Sequence, residues 1–160
     1  MISIDREKEI LRIKALGWAP ACEEIMPGVD LGRDLRLEAG RGGLDLARVE
    51  GMEALGQALA IALTTRLGDD VFNMRFGFDG LNAMVEETNP ILVRERIRIA
   101  VIQVLRKEPR VRRIVDVNLS GDGRLEAPPA GIRELEVRVA FETVAGEQVS
   151  LILGKVTQNA

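Results

Sequence analysis

Residues 89–119 read NPILVRERIRIAVIQVLRKEPRVRRIVDVNL, and this stretch decides the fold class. Asn89 followed by Pro90 predicts a helix start, because the asparagine side chain can cap the first turn and proline has no amide hydrogen to satisfy. The apolar residues then keep a helical spacing until Pro109 ends the helix. From Val111 they alternate with polar residues instead, which predicts a strand. A helix that leads directly into a strand of period two indicates an α+β domain.

The residues before this stretch predict a hairpin and another helix. Asp34–Glu38 and Leu44–Ala47 each alternate apolar and polar residues around a glycine-rich turn. From Val49 to about Leu67 the spacing is helical, with Gly68 as the predicted C-terminal cap. Between the two helices we expect a structured loop with a helical turn at 81–85. Its apolar residues are predicted to fold into the core; they are Phe72, Met74, Phe76 and Phe78.

Residues 1–33 are interpreted as an N-terminal extension, and residues 34–160 as the α+β domain. Within the extension, Glu7 to Leu16 has the spacing of a short amphipathic helix, which Gly17 and Pro20 end. The extension could be an arm that binds a partner or a lid on the core. The residues do not decide between these two.

The C-terminal third predicts two further strands beyond a loop that contains Pro128 and Pro129. Alternate residues from Leu135 to Phe141 are apolar, and a turn at Ala145-Gly146 leads to a last strand at Gln148–Leu153. The expected architecture is two main helices packed on an antiparallel sheet of about three strands, with the additional N-terminal hairpin and extension.

The composition excludes the commonest kinds of catalytic site. The chain has no histidine and one cysteine, Cys22, so the usual serine and cysteine triads and cysteine-rich zinc sites are excluded. We predict no catalytic residues, no cofactor and no metal, and therefore a protein that is not an enzyme. No apolar stretch is long enough for a membrane span, so no membrane partner is expected.

A basic stripe at Arg94–Arg113 stands out against the net charge of −3. It holds eight arginine or lysine residues and only two glutamates. We interpret part of it as a basic face that docks on a protein, formed by Arg94, Arg98, Arg106 and Lys107. A nucleic-acid-binding module is the alternative, although no phosphate loop or set of stacking aromatic residues accompanies the stripe.

Several of these segments together resemble the sheath-initiator family of contractile tails. This family of baseplate wedge subunits occurs in contractile phages, type VI secretion systems and related injection particles, and was historically labelled lysozyme-like. The segments are Val49–Gln57, Thr65–Gly68 with Gly77 downstream, and Glu108-Pro109-Arg110 followed by the strand Val111–Leu119. The resemblance spans roughly residues 34 to 153. One departure is Asp69, where the family has a glutamate after the Thr-x-x-Gly motif.

The resemblance implies a structural role with two interfaces. Glu108, Pro109 and Arg110 would dock the subunit on baseplate wedge and hub proteins. The last strand would template the first ring of sheath subunits by strand addition, through Gln148, Val149, Ser150, Leu151, Ile152 and Leu153. The protein would be made in the cytoplasm of the producing bacterial cell and then enter the baseplate, with several copies in each particle.

Simpler readings exist for both interfaces. Glu108 and Arg110 could pair with each other at an ordinary helix end, and the extension could cover the edge of the last strand. A lysozyme-like glycosidase is the remaining enzymatic alternative, because such enzymes use two carboxylates. The candidate acids for that reaction are Asp69, Asp70, Asp79, Glu86 and Glu87.

Overall fold

The fold is α+β, as predicted from the sequence. The computed structural model describes residues 4–26, 29–40, 42–80, 82, 86–120 and 132–159. Within these ranges the named helices are α1 (Ile4–Leu16), α2 (Gly51–Thr64) and α3 (Pro90–Lys107). The named strands are β1 (Trp18–Pro20), β2 (Cys22–Met26), β3 (Val29–Leu35), β4 (Leu37–Gly40), β5 (Gly43–Leu46), β6 (Arg48–Glu50), β7 (Val111–Ser120), β8 (Ile132–Thr143) and β9 (Gln148–Asn159).

The chain forms two compact units, Met1–Gln57 and Ala58–Ala160, and the boundary lies inside α2. The predicted domain start at residue 34 rests on the family resemblance, and it stays a prediction. The helical turn expected at 81–85 lies outside the described residues except for Asn82. The loop through Pro128 and Pro129 lies outside them as well.

The first unit contains α1 and three two-stranded antiparallel sheets, β1–β6, β2–β3 and β4–β5. The predicted helix is present and ends before Gly17, whose amide donates to the carbonyl of Ile13 at 2.8 Å and whose φ is 75°. The predicted hairpin is also present, with Leu37 opposite Leu46. Its first arm is shorter than expected, because Leu35 belongs to β3 and pairs with β2.

One buried cluster of this unit is made of small residues, namely Ala21, Ala47, Val49 and Ala54. The side chain of Gln57 joins β1 and β2 to α2. Its amide nitrogen donates to the carbonyl of Pro20 at 2.7 Å, and its oxygen accepts from the amide of Cys22 at 2.8 Å. Strands β1 and β2 were not predicted, because neither has the alternation that marks a strand in sequence.

Helix α3 follows the sequence prediction closely. Asn89 is its N-cap, and the side-chain oxygen accepts from the amide of Ile91 at 3.0 Å. The helix ends at Lys107, two residues before Pro109. The residues that carry the helical spacing are buried, namely Ile97, Val101 and Leu105. Helix α3 packs against β7.

The second unit contains the predicted three-stranded antiparallel sheet, in the order β7-β8-β9. The central strand β8 supplies buried apolar residues to the core, including Val139 and Phe141. Val149 lies opposite Phe141, and Leu151 lies opposite Val139. Strand β9 is longer than the predicted Gln148–Leu153, because its backbone stays paired with β8 as far as Asn159.

Strand β7 departs from simple alternation through two bulges. Its register against β8 shifts between Val111 and Arg113 and again between Ile114 and Asp116. Each bulge adds one residue to β7, so the alternation of faces is reset. Val115 is therefore exposed, whereas the sequence pattern grouped it with the buried Val117.

The prediction that the aromatic loop folds into the core is only partly right. Phe78 is 1% exposed and lies in the core. Phe72 is 100% exposed and Met74 is 60% exposed, so the prediction is wrong for these two. Phe76 is half-buried.

Candidate functional site

The outer edge of β9 carries the predicted strand-addition residues. In the sheet order, β9 has β8 as its neighbour on one side, and within the described ranges no strand pairs with its other side. Such an edge presents backbone amides and carbonyls to any strand that arrives. The strand pairing of β9 is therefore compatible with strand addition.

The hairpin between β8 and β9 determines which backbone groups point outward. The amide of Thr143 donates to the carbonyl of Glu147 at 2.8 Å, so these two residues form a hydrogen-bonded pair. Successive residues of an antiparallel strand alternately bond their neighbour and point away from it. Val149 and Leu151 therefore bond to β8. The outward amides and carbonyls belong to Gln148, Ser150 and Ile152.

The segment Gln148–Ile152 itself carries none of the usual features that protect the edge of a sheet. From Gln148 to Ile152 the register against β8 is regular, and none of these side chains is charged. The register shift in this pair lies beyond Ile152, opposite the segment between Glu136 and Arg138. Charged residues, bulges and prolines are the usual devices that protect an edge, and this segment has none of them.

The opposite edge of the sheet, on β7, is protected. Its two bulges interrupt the row of backbone groups. Alternate residues of β8 bond to β9, so the residues between them bond to β7. Leu119 is not one of the β7 residues that bond to β8, and its carbonyl therefore points outward. The guanidinium of Arg94 on α3 donates to this carbonyl. Of the two outer edges, β9 is the one that offers a regular template, from Gln148 to Ile152.

Glu108, Pro109 and Arg110 form a compact corner between α3 and β7. Arg110 donates from Nε to Glu108 Oε1 at 2.6 Å and from Nη2 to Oε2 at 2.8 Å. The backbone amide of Arg110 also donates to Oε1 at 3.1 Å. Two parallel bonds between a guanidinium and a carboxylate fix both position and orientation. The corner is therefore held rigidly by its own side chains.

Burial and pairing act in opposite directions on the Glu108 carboxyl. Burial raises its pKa, but the hydrogen bonds from the side chain and backbone of Arg110, together with its positive charge, bring the pKa below the ordinary value of 4.5. The hydrogen bond to Glu108 in turn raises the pKa of Arg110. Both groups therefore favour their charged forms in the folded protein.

The internal pairing corresponds to the simpler reading of the corner. It also has a consequence for docking, since a partner would meet a fixed pair of charges and no loose side chains. The carbonyl of Arg110 accepts from the amide of Val144, at 3.0 Å, which ties the corner to the β8–β9 hairpin. Baseplate docking through these three residues stays a prediction.

The four residues of the predicted basic face have different surroundings. Arg94 and Arg98 are directed towards β7, where Arg94 bonds Leu119, and Arg98 also pairs with Glu95 at 3.2 Å. Lys107 donates to the carbonyl of Arg75 at 2.7 Å. Arg106 is exposed. The fold thus uses part of the stripe to fasten α3 to β7 and to the loop before it.

The acids considered for a glycosidase each have a neighbour that engages them. Asp69 pairs with Arg66 at 3.1 Å, and Glu86 pairs with Arg96 at 3.1 Å. Asp79 accepts from Asn82 at 2.6 Å. Asp70 and Glu87 each accept a hydrogen bond from a backbone amide of their own loop. These contacts are typical of loop acids that stabilise turns.

Among the described residues, no group of three acidic or cysteine side chains is placed to hold a metal ion. An open hollow of about 370 Å³ lies between α3 and β7, lined by Arg98, Ile102 and residues 114–118. Glu86 and the loop acids are not among its lining residues.

The exposed loop around Phe72 is a functional candidate that sequence reasoning missed. An aromatic residue in a loop with other aromatic residues is usually assigned to the core. The sequence did contain a signal for this exposure, namely Asp70 two residues before Phe72. An aspartate at this spacing favours a tight turn, which can hold the next side chain outward.

Trp18 is a second exposed aromatic residue. The guanidinium of Arg48 lies over its ring, 4.7 Å from the ring centre.

Two comparisons with known proteins give no match for this chain. A scan against models of protein families finds no match, and a search of curated proteins finds none either. The relation to the sheath-initiator family therefore stays a prediction from the residues quoted above. Among the described residues, no helix combines the length and the apolar composition that crossing a bilayer requires.

Proposed function

We propose that this chain is a structural baseplate subunit of a contractile tail or injection system, and that the outer edge of β9 templates the first ring of sheath subunits. The observation that supports this is the open, uncharged and regular edge from Gln148 to Ile152. The resemblance of residues 34–153 to the sheath-initiator family supplies the identity of the partners.

Strand addition would use the backbone more than the side chains. An incoming sheath strand would bond to the outward amides and carbonyls of Gln148, Ser150 and Ile152. Ile152 is 62% exposed, so it would also contribute apolar contact. Because β8 already fixes β9 in an extended conformation, little backbone entropy would be lost when the strand arrives.

Docking on wedge and hub proteins would use the Glu108-Pro109-Arg110 corner. The bidentate pair presents one fixed guanidinium and one fixed carboxylate, both partly accessible. A partner would then contact this pair without having to order a long side chain. The docking corner would lie beside the turn of the β8–β9 hairpin, through the bond from Val144 to Arg110, and the strand-addition segment starts directly after that turn.

The proposal is tested by a proline at an outward-facing position of β9. Ser150→Pro removes one outward amide and leaves the bonds to β8 in place, since proline is tolerated where its nitrogen faces away from the ladder. Ser150→Ala is the matched control, because it removes the hydroxyl and keeps the amide. Truncation after Gly146 would be less informative, because it also removes Val149 and Leu151 from beside the core.

We expect the Ser150→Pro variant to enter purified baseplates but to reduce sheath initiation about tenfold or more. A tenfold reduction corresponds to roughly 1.4 kcal/mol, as expected for the loss of one backbone hydrogen bond. Ser150→Ala should initiate sheath like the unmodified chain. The measurement is the fraction of baseplates that carry a sheath ring, with melting temperatures to verify that both variants fold. Equal sheath formation by the proline variant would contradict the template role. Failure of the unmodified chain to enter baseplates would contradict the baseplate assignment.

A further inference from the structure

The loop between α2 and α3 carries an apolar tip that the proposed function does not use. Phe72 is 100% exposed, Val71 is 79% exposed and Met74 is 60% exposed. Scattered single apolar residues are common on protein surfaces. Three within four positions, with an entirely exposed aromatic ring among them, form a patch that indicates a contact surface.

The tip is held in place by its own loop. Asp70 Oδ1 accepts from the amide of Phe72 at 2.9 Å and from that of Asn73 at 3.2 Å. The amide of Phe76 donates to the carbonyl of Asn73 at 2.8 Å. The amide of Phe78 donates to the carbonyl of Thr65, also at 2.8 Å. A loop with this many internal bonds is preorganised, so it loses little entropy on binding.

The charges around the tip favour an acidic partner. The two carboxylates of the loop are already engaged, Asp69 by Arg66 and Asp70 by the loop amides. Arg75 and Lys107 are exposed at the base of the loop, where Lys107 donates to the carbonyl of Arg75. A surface that received Phe72 would therefore meet positive charge beside the apolar tip.

We propose that the loop Asp69–Arg75 is a preformed anchor that inserts Phe72 into an apolar pocket with an acidic rim on a protein partner. Aromatic anchors in desolvated pockets dominate the affinity of many protein interfaces. The inference goes beyond the proposed function, because it requires a protein partner and does not require a contractile tail.

A second copy of this chain fits the tip less well. If this loop met the same loop of a second copy, the positive charges of Arg75 and Lys107 would lie near those of the other copy. A bilayer fits less well too, because Asp69 and Asp70 flank the tip and charged groups enter lipid at high cost.

Site-specific photo-crosslinking in cells that produce the full chain tests the proposal. A benzophenone amino acid replaces Phe72, and the same group at Leu44, an exposed apolar residue outside this loop and outside the proposed docking and strand-addition segments, is the control. We expect an adduct at position 72 with another protein, mapped by mass spectrometry to apolar residues flanked by aspartate or glutamate. Adducts only with lipid, only with second copies, or no more than at Leu44 would overturn the proposal.

Two substitutions then test the chemistry of the contact against the purified partner. Phe72→Ser should weaken binding at least about tenfold, with an unchanged melting temperature because the ring is wholly exposed. Arg75→Glu should weaken binding more than Arg138→Glu, an equal charge change on an exposed residue of β8. Binding by Phe72→Ser within about twofold of the unmodified chain, or equal effects of the two charge reversals, would overturn the proposal.

Discussion

At the scale of single residues, Glu108 shows how one carboxylate can join a helix to a strand. It accepts three hydrogen bonds from Arg110, one from the backbone and two from the side chain. Its own amide donates to the carbonyl of Leu105 at 3.3 Å, and its carbonyl accepts from Val111 at 3.1 Å. Pro109 between the two charges prevents the helix from continuing. The corner therefore has a stability role even in the isolated chain.

We predict that Glu108→Gln lowers the free energy of unfolding by about 1.5–3 kcal/mol at neutral pH, because charge-assisted bonds to a partly buried partner are lost. The exposed pair of Glu86 and Arg96 provides the control. Glu86→Gln should cost less than about 1 kcal/mol. Urea unfolding of the full chain measures both values. Equal values would show that the corner is no stronger than a surface ion pair.

The same pair predicts a pH dependence. The pKa of Glu108 in the folded protein lies below 4.5, so its stabilisation is fully present above the unfolded pKa and is lost as pH falls through the folded value. The difference in unfolding free energy between the unmodified chain and Glu108→Gln should therefore shrink in acid. A difference that stayed constant from neutral pH down to acid would mean that the charge of Glu108 is not the cause.

At the scale of elements, helix α2 ends three residues earlier than its apolar spacing predicts. The side chains of Thr64 and Thr65 bond back to carbonyls of the preceding turn, at 2.9 and 2.8 Å. The next residues then pair with the segment around Phe78, because Phe78 donates to Thr65 and accepts from Leu67. This short parallel bridge replaces the last helical turn. Gly68, expected as the helix cap, instead lies in the loop with φ of 90°.

Gly77 permits that pairing, so its substitution should be costly. Its φ is 107°, and a Cβ atom there would lie 2.7 Å from the carbonyl oxygen of Thr65 and 2.8 Å from that of Arg66. We predict that Gly77→Ala destabilises the protein by about 2–4 kcal/mol, from backbone strain together with overlap.

Gly146→Ala is the matched control, because φ there is 83° and no atom lies within 4 Å of the added Cβ. This substitution should lower the free energy of unfolding only by the backbone strain of a positive φ, about 1–2 kcal/mol. Denaturant unfolding of the two variants separates strain from overlap. If Gly77→Ala proved no worse than Gly146→Ala, the close approach to Thr65 would not determine where α2 ends.

At the scale of the whole molecule, the charge distribution bears on the nucleic-acid alternative. The chain carries a net charge of −3, and several cations of the basic stripe already have partners within the fold. Arg112 and Arg113 both pair with Glu142, at 3.2 and 3.4 Å, because a bulge places them side by side opposite it. Within the basic stripe, most of the cations therefore already have a partner in the fold.

We therefore expect no binding of random duplex DNA at roughly 0.15 M salt, measured by fluorescence anisotropy with the full chain. Weak binding that appears only at low salt is consistent with general electrostatic attraction. Micromolar affinity at 0.15 M salt, with log K falling steeply against log salt and abolished by Arg106→Glu, would favour the nucleic-acid-binding module over the assembly subunit.

The sequence by itself determined the elements whose signals lie within a few residues of one another. Helix α3 has its cap at Asn89, its stop at Pro109 and its apolar face between them, and strands β8 and β9 have clear alternation around the turn at Gly146. The sequence therefore predicted the α+β class and the three-stranded sheet. It also offered internal pairing as the simpler reading of Glu108 and Arg110.

Only the tertiary structure decided the features that depend on residues far apart in the chain. Strand β1 exists because Trp18 pairs opposite Glu50, α2 ends early because Phe78 returns to Thr65, and the bulges of β7 follow from its register with β8. The contrast between the protected edge of β7 and the open edge of β9 likewise depends on Arg94 meeting Leu119. Pairings of this kind require the chain to return from a distance, so local propensity and periodicity do not encode them.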